Sequence, residues 1–324
     1  MMLKKVILLI EEDIMQQKVL CGESILPDDL REHGVEIVIG QGQSVVPDIE
    51  AEENTAACNS TECNGAKRRE AEGMDEVYGG VEEGFGDSLE ENLYITDSED
   101  TYRLMRQRGR YMLPYRHEKN KTADFTGALY VIEQIEEVDY ETVDLAYRRL
   151  AGLPWEILRT KRCIIRETTE ADVDSFYNIY AEPEITRYME DLYEDREEEL
   201  VYVAEYREKM YGFYGYGMWT VLTKEGTVIG RAGISWREGF DLPELGFVIG
   251  VPWQRQGYAY EVCRAILDYA KIELDFTQVQ ALVMEGNGKS AALCRKLGFR
   301  KEDRVEEDGE QYDRYLAELT KTAL

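Results

Sequence analysis

Residues 4–10 form an apolar run, and residues 35–39, after Gly34, form another, so the first forty residues predict strand, helix, strand. The pattern then lapses. Between Gln41 and Asn92 stand fourteen acidic residues, three basic ones and seven glycines, with little periodic apolar content. That stretch predicts a disordered or weakly ordered acidic insertion at about 41–92. Regular pattern resumes with a short strand at 93–96, an N-cap at Asp97-Ser98, a helix over 101–108 and a strand at 111–115. Strand, capped helix, glycine, strand is the rhythm of a parallel α/β sheet. Two helical stretches follow. The spacing over 125–135 is ambiguous, whereas 140–151 repeats apolar residues at Val143, Ala146, Tyr147 and Leu150. Gly152-Leu153-Pro154-Trp155 breaks the pattern and marks a domain boundary.

The second half is patterned more tightly. Residues 163–166 read as a strand, and Thr169 with Asp172 three places on resembles a capping box. Helical segments are expected over 184–193 and 197–211. Three successive antiparallel strands are expected at 217–223, 227–236 and 244–251, with turns at Lys224-Glu225-Gly226 and Glu238-Gly239. Then come a helix over 259–274, a strand at 279–284, a short helix at 290–297 and a strand pair at 300–304 and 311–319.

Charge narrows the functions open to this chain. It has 66 Asp and Glu against 38 Lys and Arg, a formal net charge of -28. Nucleic-acid binding needs a basic footprint, and anionic lipid needs the same, so neither partner is expected. The apolar start is too short to span a bilayer and runs at once into Glu11-Glu12-Asp13, so no membrane anchor is expected and the location reads as cytoplasmic. The six cysteines are scattered. Cys58 and Cys63 have no histidine near them, so no metal site is expected and the thiols read as reduced.

Against that negative field, one stretch is built for an anion. Gln254-Arg255-Gln256-Gly257-Tyr258-Ala259 joins the apolar run 244–251 to the helix that follows. A strand–turn–helix of this kind gathers backbone N–H groups at a helix N-terminus, where a pyrophosphate can sit. Gly257 lets the backbone approach closely, and Arg255 adds a cation. This loop, together with Asn287-Gly288-Lys289-Ser290 and Lys296-Leu297-Gly298-Phe299 in that order, resembles the GCN5-related N-acetyltransferase (GNAT) family over about 161–319. The opening strand and Glu170-Ala171-Asp172 look like its ribosomal-protein-acetyltransferase branch.

The resemblance implies an α+β fold: a mixed, mostly antiparallel sheet with helices on both faces, over 161–324. A smaller Rossmann-like parallel α/β domain would precede it, at 1–155. The cosubstrate implied is acetyl-CoA. Its pyrophosphate would lie on the N–H groups of Gln256, Gly257, Tyr258 and Ala259, with Arg255 as a cation and Gln254 also binding the cosubstrate. Its pantetheine arm would meet the backbone of Phe247, Val248 and Ile249 where two family strands splay apart, with Asn287 and Ser290 on the far side. Asn287 can equally cap a helix.

Acetyl transfer needs a neutral amine, hence a proton acceptor, and Glu244 at the start of the fourth family strand is the candidate general base. The family's frequent acid, a Tyr seven residues after the Asn, falls here on Cys294, which could protonate the leaving thiolate or merely fill the core. Tyr214 and Tyr216, interleaved with glycines, could wall the acceptor pocket or pack on the sheet. Glu197, Glu198 and Glu199 read as a solvated helix face. The acceptor is an amine, on a small molecule or a protein N-terminus. The rival reading is an acyl-CoA-binding sensor or adaptor whose catalysis has decayed. Residues 93–115 loosely resemble a βαβ unit of haloacid dehalogenase-like hydrolases, but the Asp-x-Asp those enzymes use is missing after the first strand, so that half is read as an inactive module.

Overall fold

The computed structural model describes residues 2–10, 29–39, 91–189, 191–307 and 309–319. The acidic insertion lies outside the described residues except for Glu91 and Asn92, and Asn92 opens a strand instead. Cys58 and Cys63 also lie outside them. The chain divides into two compact units, Met1–Leu153 and Pro154–Leu324.

The first unit holds β1 (Lys5–Leu9), α1 (Asp29–Glu32), β2 (Glu36–Ile39), β3 (Asn92–Thr96), α2 (Glu99–Gln107), β4 (Tyr111–Pro114) and α3 (Tyr140–Leu150). Its four strands are all parallel, in the order β2-β1-β3-β4. β3 is buried along its whole length, which is why its middle, Leu93-Tyr94-Ile95, reads as an apolar run and not an alternating one. Val6, Leu8, Leu93 and Ile95 pack with Val143 and Tyr147 of α3, while Ile7, Leu9 and Tyr94 pack with Tyr102 and Met105 of α2. Ser98 caps α2 by accepting the Thr101 N–H at 3.3 Å. The 125–135 helix does not form. Asp124 accepts the Thr126 N–H at 2.9 Å, a side-chain-closed turn, and Ile132 instead bridges to Tyr115 beyond β4.

The second unit runs β5 (Glu156–Arg159), β6 (Cys163–Arg166), α4 (Val173–Tyr180), α5 (Pro183–Thr186), α6 (Arg196–Tyr206), β7 (Met218–Thr223), β8 (Val228–Ser235), β9 (Glu244–Ile249), α7 (Tyr258–Ile272), β10 (Gln278–Met284), α8 (Gly288–Lys296), β11 (Arg300–Glu307) and β12 (Glu310–Glu318). Eight strands form one sheet in the order β11-β12-β10-β9-β8-β7-β6-β5. Every neighbouring pair is antiparallel except β9 and β10, which are parallel and meet at one position, Gln280 opposite Glu244. Beyond that point the two strands part, leaving a wedge that opens toward Ile249 and Met284.

Two expectations are corrected here. The helix over 184–193 is only the short α5. Pro183 starts it, and the chain turns irregular before Asp195, whose side chain caps α6. The helix over 197–211 ends at Tyr206 and continues as a π turn, Arg207–Tyr211. β5, an edge strand, was not expected from the sequence.

Ala232, Ile234, Leu245, Val262, Ile266 and Cys294 share the main core cluster. Phe176, Tyr180, Ile185 and Val248 form a smaller one, where α4 covers the other side of the sheet. The capping box at Thr169 is real, and Asp172 does more than cap. It takes Arg166 Nη1 and Nη2 at 2.7 Å each, the Thr169 N–H at 2.9 Å and the Thr220 hydroxyl at 3.0 Å. Burial raises its pKa, but the Arg166 bonds and charge, with the Thr169 N–H and Thr220, more than reverse this and leave the carboxyl below its ordinary 3.8. A depressed carboxylate gives stability that is complete above the unfolded pKa and is lost as pH falls through the folded one. Asp172→Asn is expected to cost about 3 kcal/mol near neutrality by leaving Arg166 unpaired. It should also flatten the acid side of the stability curve. Urea melts of both proteins across acid to neutral pH check this.

Candidate active site

The wedge and the loop after β9 make one continuous feature. Gly250 donates its N–H to Ile229 O at 2.8 Å, and Gln280 donates to Pro243 O at 2.9 Å. By strand alternation, Phe247 and Ile249 thus turn backbone groups to the wedge, and Val248 turns its own to β8. Val248 contributes its side chain, buried against Phe176 and Tyr180.

Two side-chain amides brace the loop. Gln254 Nε2 donates to Ile249 O at 2.9 Å, and Gln256 Nε2 to Pro252 O at 2.7 Å. Arg255 sits at φ 60°, a left-handed conformation rare for a residue with a side chain, and Gly257 at φ 86°. The first intrahelical bond of α7 runs from the Glu261 N–H to Gly257 O, and no side chain caps the helix. Among the described residues, the N–H groups of Tyr258, Ala259 and Tyr260 therefore meet no backbone carbonyl. The donors, the dipole and the permissive glycine are all in place for an anion.

Residues that sequence reasoning missed surround this loop. Arg162 lies 4.0 Å over the Tyr258 ring, donates to Gln256 O at 3.0 Å and pairs with Glu261 at 2.7 Å. Lys289 reaches Glu184 at 2.5 Å and Gln254 Oε1 at 3.3 Å, tying α8 to α5 and to the loop. Nothing in local sequence marks Arg162, because its partners are about a hundred residues away. Lys289 stood inside a recognised motif and could have been named.

Glu244 is 8% exposed, at the point where β9 and β10 part. Arg237 holds it, Nε to Oε2 at 2.6 Å, and also takes Glu307 at 2.6 Å. Burial pushes the Glu244 pKa up, Arg237 pulls it down and Glu307 pushes it up again. The result lies above the ordinary 4.5. Asn287 Oδ1 accepts the Ser290 N–H at 3.1 Å, so this amide caps α8 and uses the Ser290 backbone. Tyr216 is buried, edge-on to Phe276, and its hydroxyl accepts the Trp236 indole N–H; Tyr214 is 49% exposed. The two tyrosines thus divide between packing and solvent.

Cys294 has 0% exposure and lies in the main core beside Cys263. Burial pushes its thiol up to about 12 against a smaller lowering by Arg295. Glu199 corrects the solvated-face expectation. It is 2% exposed, while Glu197 and Glu198 are exposed.

Residues 162–300 match the family model described as Acetyltransferase (GNAT) domain. The C-terminal half carries a GNAT acetyltransferase domain. By this GNAT domain the chain is an N-acetyltransferase that uses acetyl-CoA. Among curated relatives, the uncharacterized N-acetyltransferase YoaA of Bacillus subtilis is 28% identical over 175 residues, covering 51% of this chain and 97% of that protein. The [ribosomal protein uS5]-alanine N-acetyltransferase of Escherichia coli is 31% identical over 124 residues, covering 36% of this chain and 62% of that protein. A crystal structure of an acetyltransferase from Agrobacterium tumefaciens overlays with a TM-score of 0.43 at 25% identity, covering 49% of this chain and 92% of that one. The haloacid dehalogenase resemblance of the first unit gains no support from these comparisons.

A sealed thiol packs in the core. Cys294→Ala in the GNAT domain is expected to lower stability by about 1–2 kcal/mol and to leave turnover within about twofold. Chemical melts and thiol release from acetyl-CoA check the two halves.

Proposed function

We propose that this chain transfers the acetyl group of acetyl-CoA to an amine, on a small molecule or a protein N-terminus, at the wedge between β9 and β10. The observation that carries the reading is the uncapped start of α7 behind Gly257, directly beside that wedge. The cosubstrate supplies the activated acyl thioester. The N–H groups from Gln256 to Ala259 would hold its pyrophosphate, with Arg255 adding charge and Gln254 and Gln256 bracing the turn. The backbone of Phe247 and Ile249 would hold its arm. Asn287 fixes the start of α8 on the other side of the wedge.

Glu244 is the base in this reading. A buried carboxylate above its ordinary pKa is suited to take a proton from an ammonium, directly or through water. Arg237 orients it and limits how far its pKa climbs. Cys294 has no part in the chemistry. The first unit, with its four parallel strands, is read as a Rossmann-like module without assigned activity.

Two substitutions test the proposal. A side chain at residue 257 must adopt φ 86° or distort the loop, so Gly257→Val is expected to raise the acetyl-CoA dissociation constant about 10-fold or more. Calorimetry that gives an unchanged constant removes the loop from cosubstrate binding. Glu244→Gln is expected to lower kcat about 100-fold. The base works deprotonated, so wild-type kcat/KM should fall as pH drops through a value above 4.5, and that limb should vanish in the variant. Wild-type kinetics in Glu244→Gln would exclude this residue as the base.

A further inference from the structure

β9 and β10 close the wedge where Glu244 stands opposite Gln280. Leu245, Val279 and Ala281 belong to the core on the α7 side, so Glu244 and Gln280, one place along in each strand, present their side chains to the other face. In the register of the sheet Glu307 lies far from that pair. β10 and β12 stand between β9 and β11, so three strand spacings, about 14 Å, separate the two strands. Met284 pairs with Tyr312, and Tyr312 with Val305. Glu307 therefore falls two residues beyond the level of Met284, itself four beyond Gln280, or about 20 Å along the strands.

Two ion pairs bridge that separation. Arg237, in the turn after β8, sets Nε on Glu244 Oε2 at 2.6 Å and Nη2 on Oε1 at 3.3 Å, while its Nη1 donates to Glu307 Oε2 at 2.6 Å. One guanidinium meets both carboxylates only if the β11–β12 hairpin coils back toward Glu244. The register of that hairpin slips between Lys301 and Asp303, and an irregularity of this kind bends a strand and increases its twist. The end of the hairpin, where Glu307 pairs with Glu310, is thereby brought to the base.

An arginine that holds a carboxylate by two bonds keeps it ionised and makes it a weak base. Here the arginine is shared. The charged groups that face Glu244 are Arg237 from the turn after β8 and Glu307 from β11. The other neighbours are neutral: Ser235 opposite it on β8, and on β10 the Leu282 N–H and Gln280, whose Nε2 is committed to Leu242 O at 3.1 Å. Burial raises the Glu244 pKa, Arg237 lowers it, Glu307 raises it and the Leu282 N–H lowers it, and the carboxyl stays above its ordinary value. We propose that Glu307 is a positioning residue of the active site: from the end of its hairpin it holds one edge of Arg237 and so keeps that cation from committing wholly to Glu244. The proposal rests on Glu244 being the general base.

Glu307→Gln tests it, because the amide oxygen can still accept from Arg237 Nη1 while the charge is gone. The first measurement is a carbon-13 titration of the Glu244 carboxyl in the full chain, its signal assigned by its loss in Glu244→Gln. In Glu307→Gln the midpoint is expected to move to lower pH, and in Glu307→Asp, which keeps the charge, to move less. The second is thiol release from acetyl-CoA with a panel of amines. The acid limb of kcat/KM should move the same way, kcat should fall about 3- to 10-fold as the base weakens, and the acetyl-CoA dissociation constant should not change. Added to Glu244→Gln, Glu307→Gln should alter kcat by less than about twofold, since a residue that acts through the base then has nothing to act on. A midpoint that stays or rises in Glu307→Gln overturns the proposal, as does the same loss of kcat with Glu244 already replaced. Wild-type kinetics in Glu244→Gln, with the midpoint still moved by Glu307→Gln, would instead overturn the assignment of the base on which the proposal rests.

Discussion

The second unit is organised by one missing set of hydrogen bonds. Parallel strands β9 and β10 pair at Glu244 and Gln280 and nowhere further along. A sheet interior normally leaves no backbone group unmatched, since each buried orphan is costly. Here the wedge-facing backbone of Phe247 has no β10 partner, and Ile249 O takes the Gln254 side-chain amide instead. The remaining six pairings hold the sheet around the gap. The large core on the α7 side and the smaller one beneath α4 clamp it from both faces.

The same separation explains where charge is spent. The chain is strongly acidic overall, but cations are concentrated at the wedge and its loop: Arg162 and Arg255 by the start of α7, Lys289 across from Gln254, Arg237 on Glu244. Most of them are already engaged by a carboxylate or a carbonyl. Glu261 steadies Arg162, and Glu307 shares Arg237. Fixing a side chain in advance lowers the entropy lost when a ligand arrives.

Much of this was legible in the residues. Strand and helix order in the second half followed the apolar period closely, because β6 to β9 are each flanked by clear turns. The loop at 254–259 announced itself by Gly257 between a strand and a helix. The failures share a cause. The 184–193 helix stops after the short α5, and 125–135 gives way to the Asp124–Thr126 turn together with a bridge to Tyr115. Glu199 looked like one more acidic residue in a run, and only the packing of α6 shows that it alone of the three is buried. Glu307 carried no local signal at all. Its meaning comes from Arg237, seventy residues away, which the sequence does not place beside it.

Arg255 holds a backbone angle that most side chains avoid. The turn is braced from within by the side-chain amides of Gln254 and Gln256. A receptor of this kind behaves as a rigid lock. Association there should be governed by diffusion and by the surrounding negative field, with little conformational rearrangement to wait for.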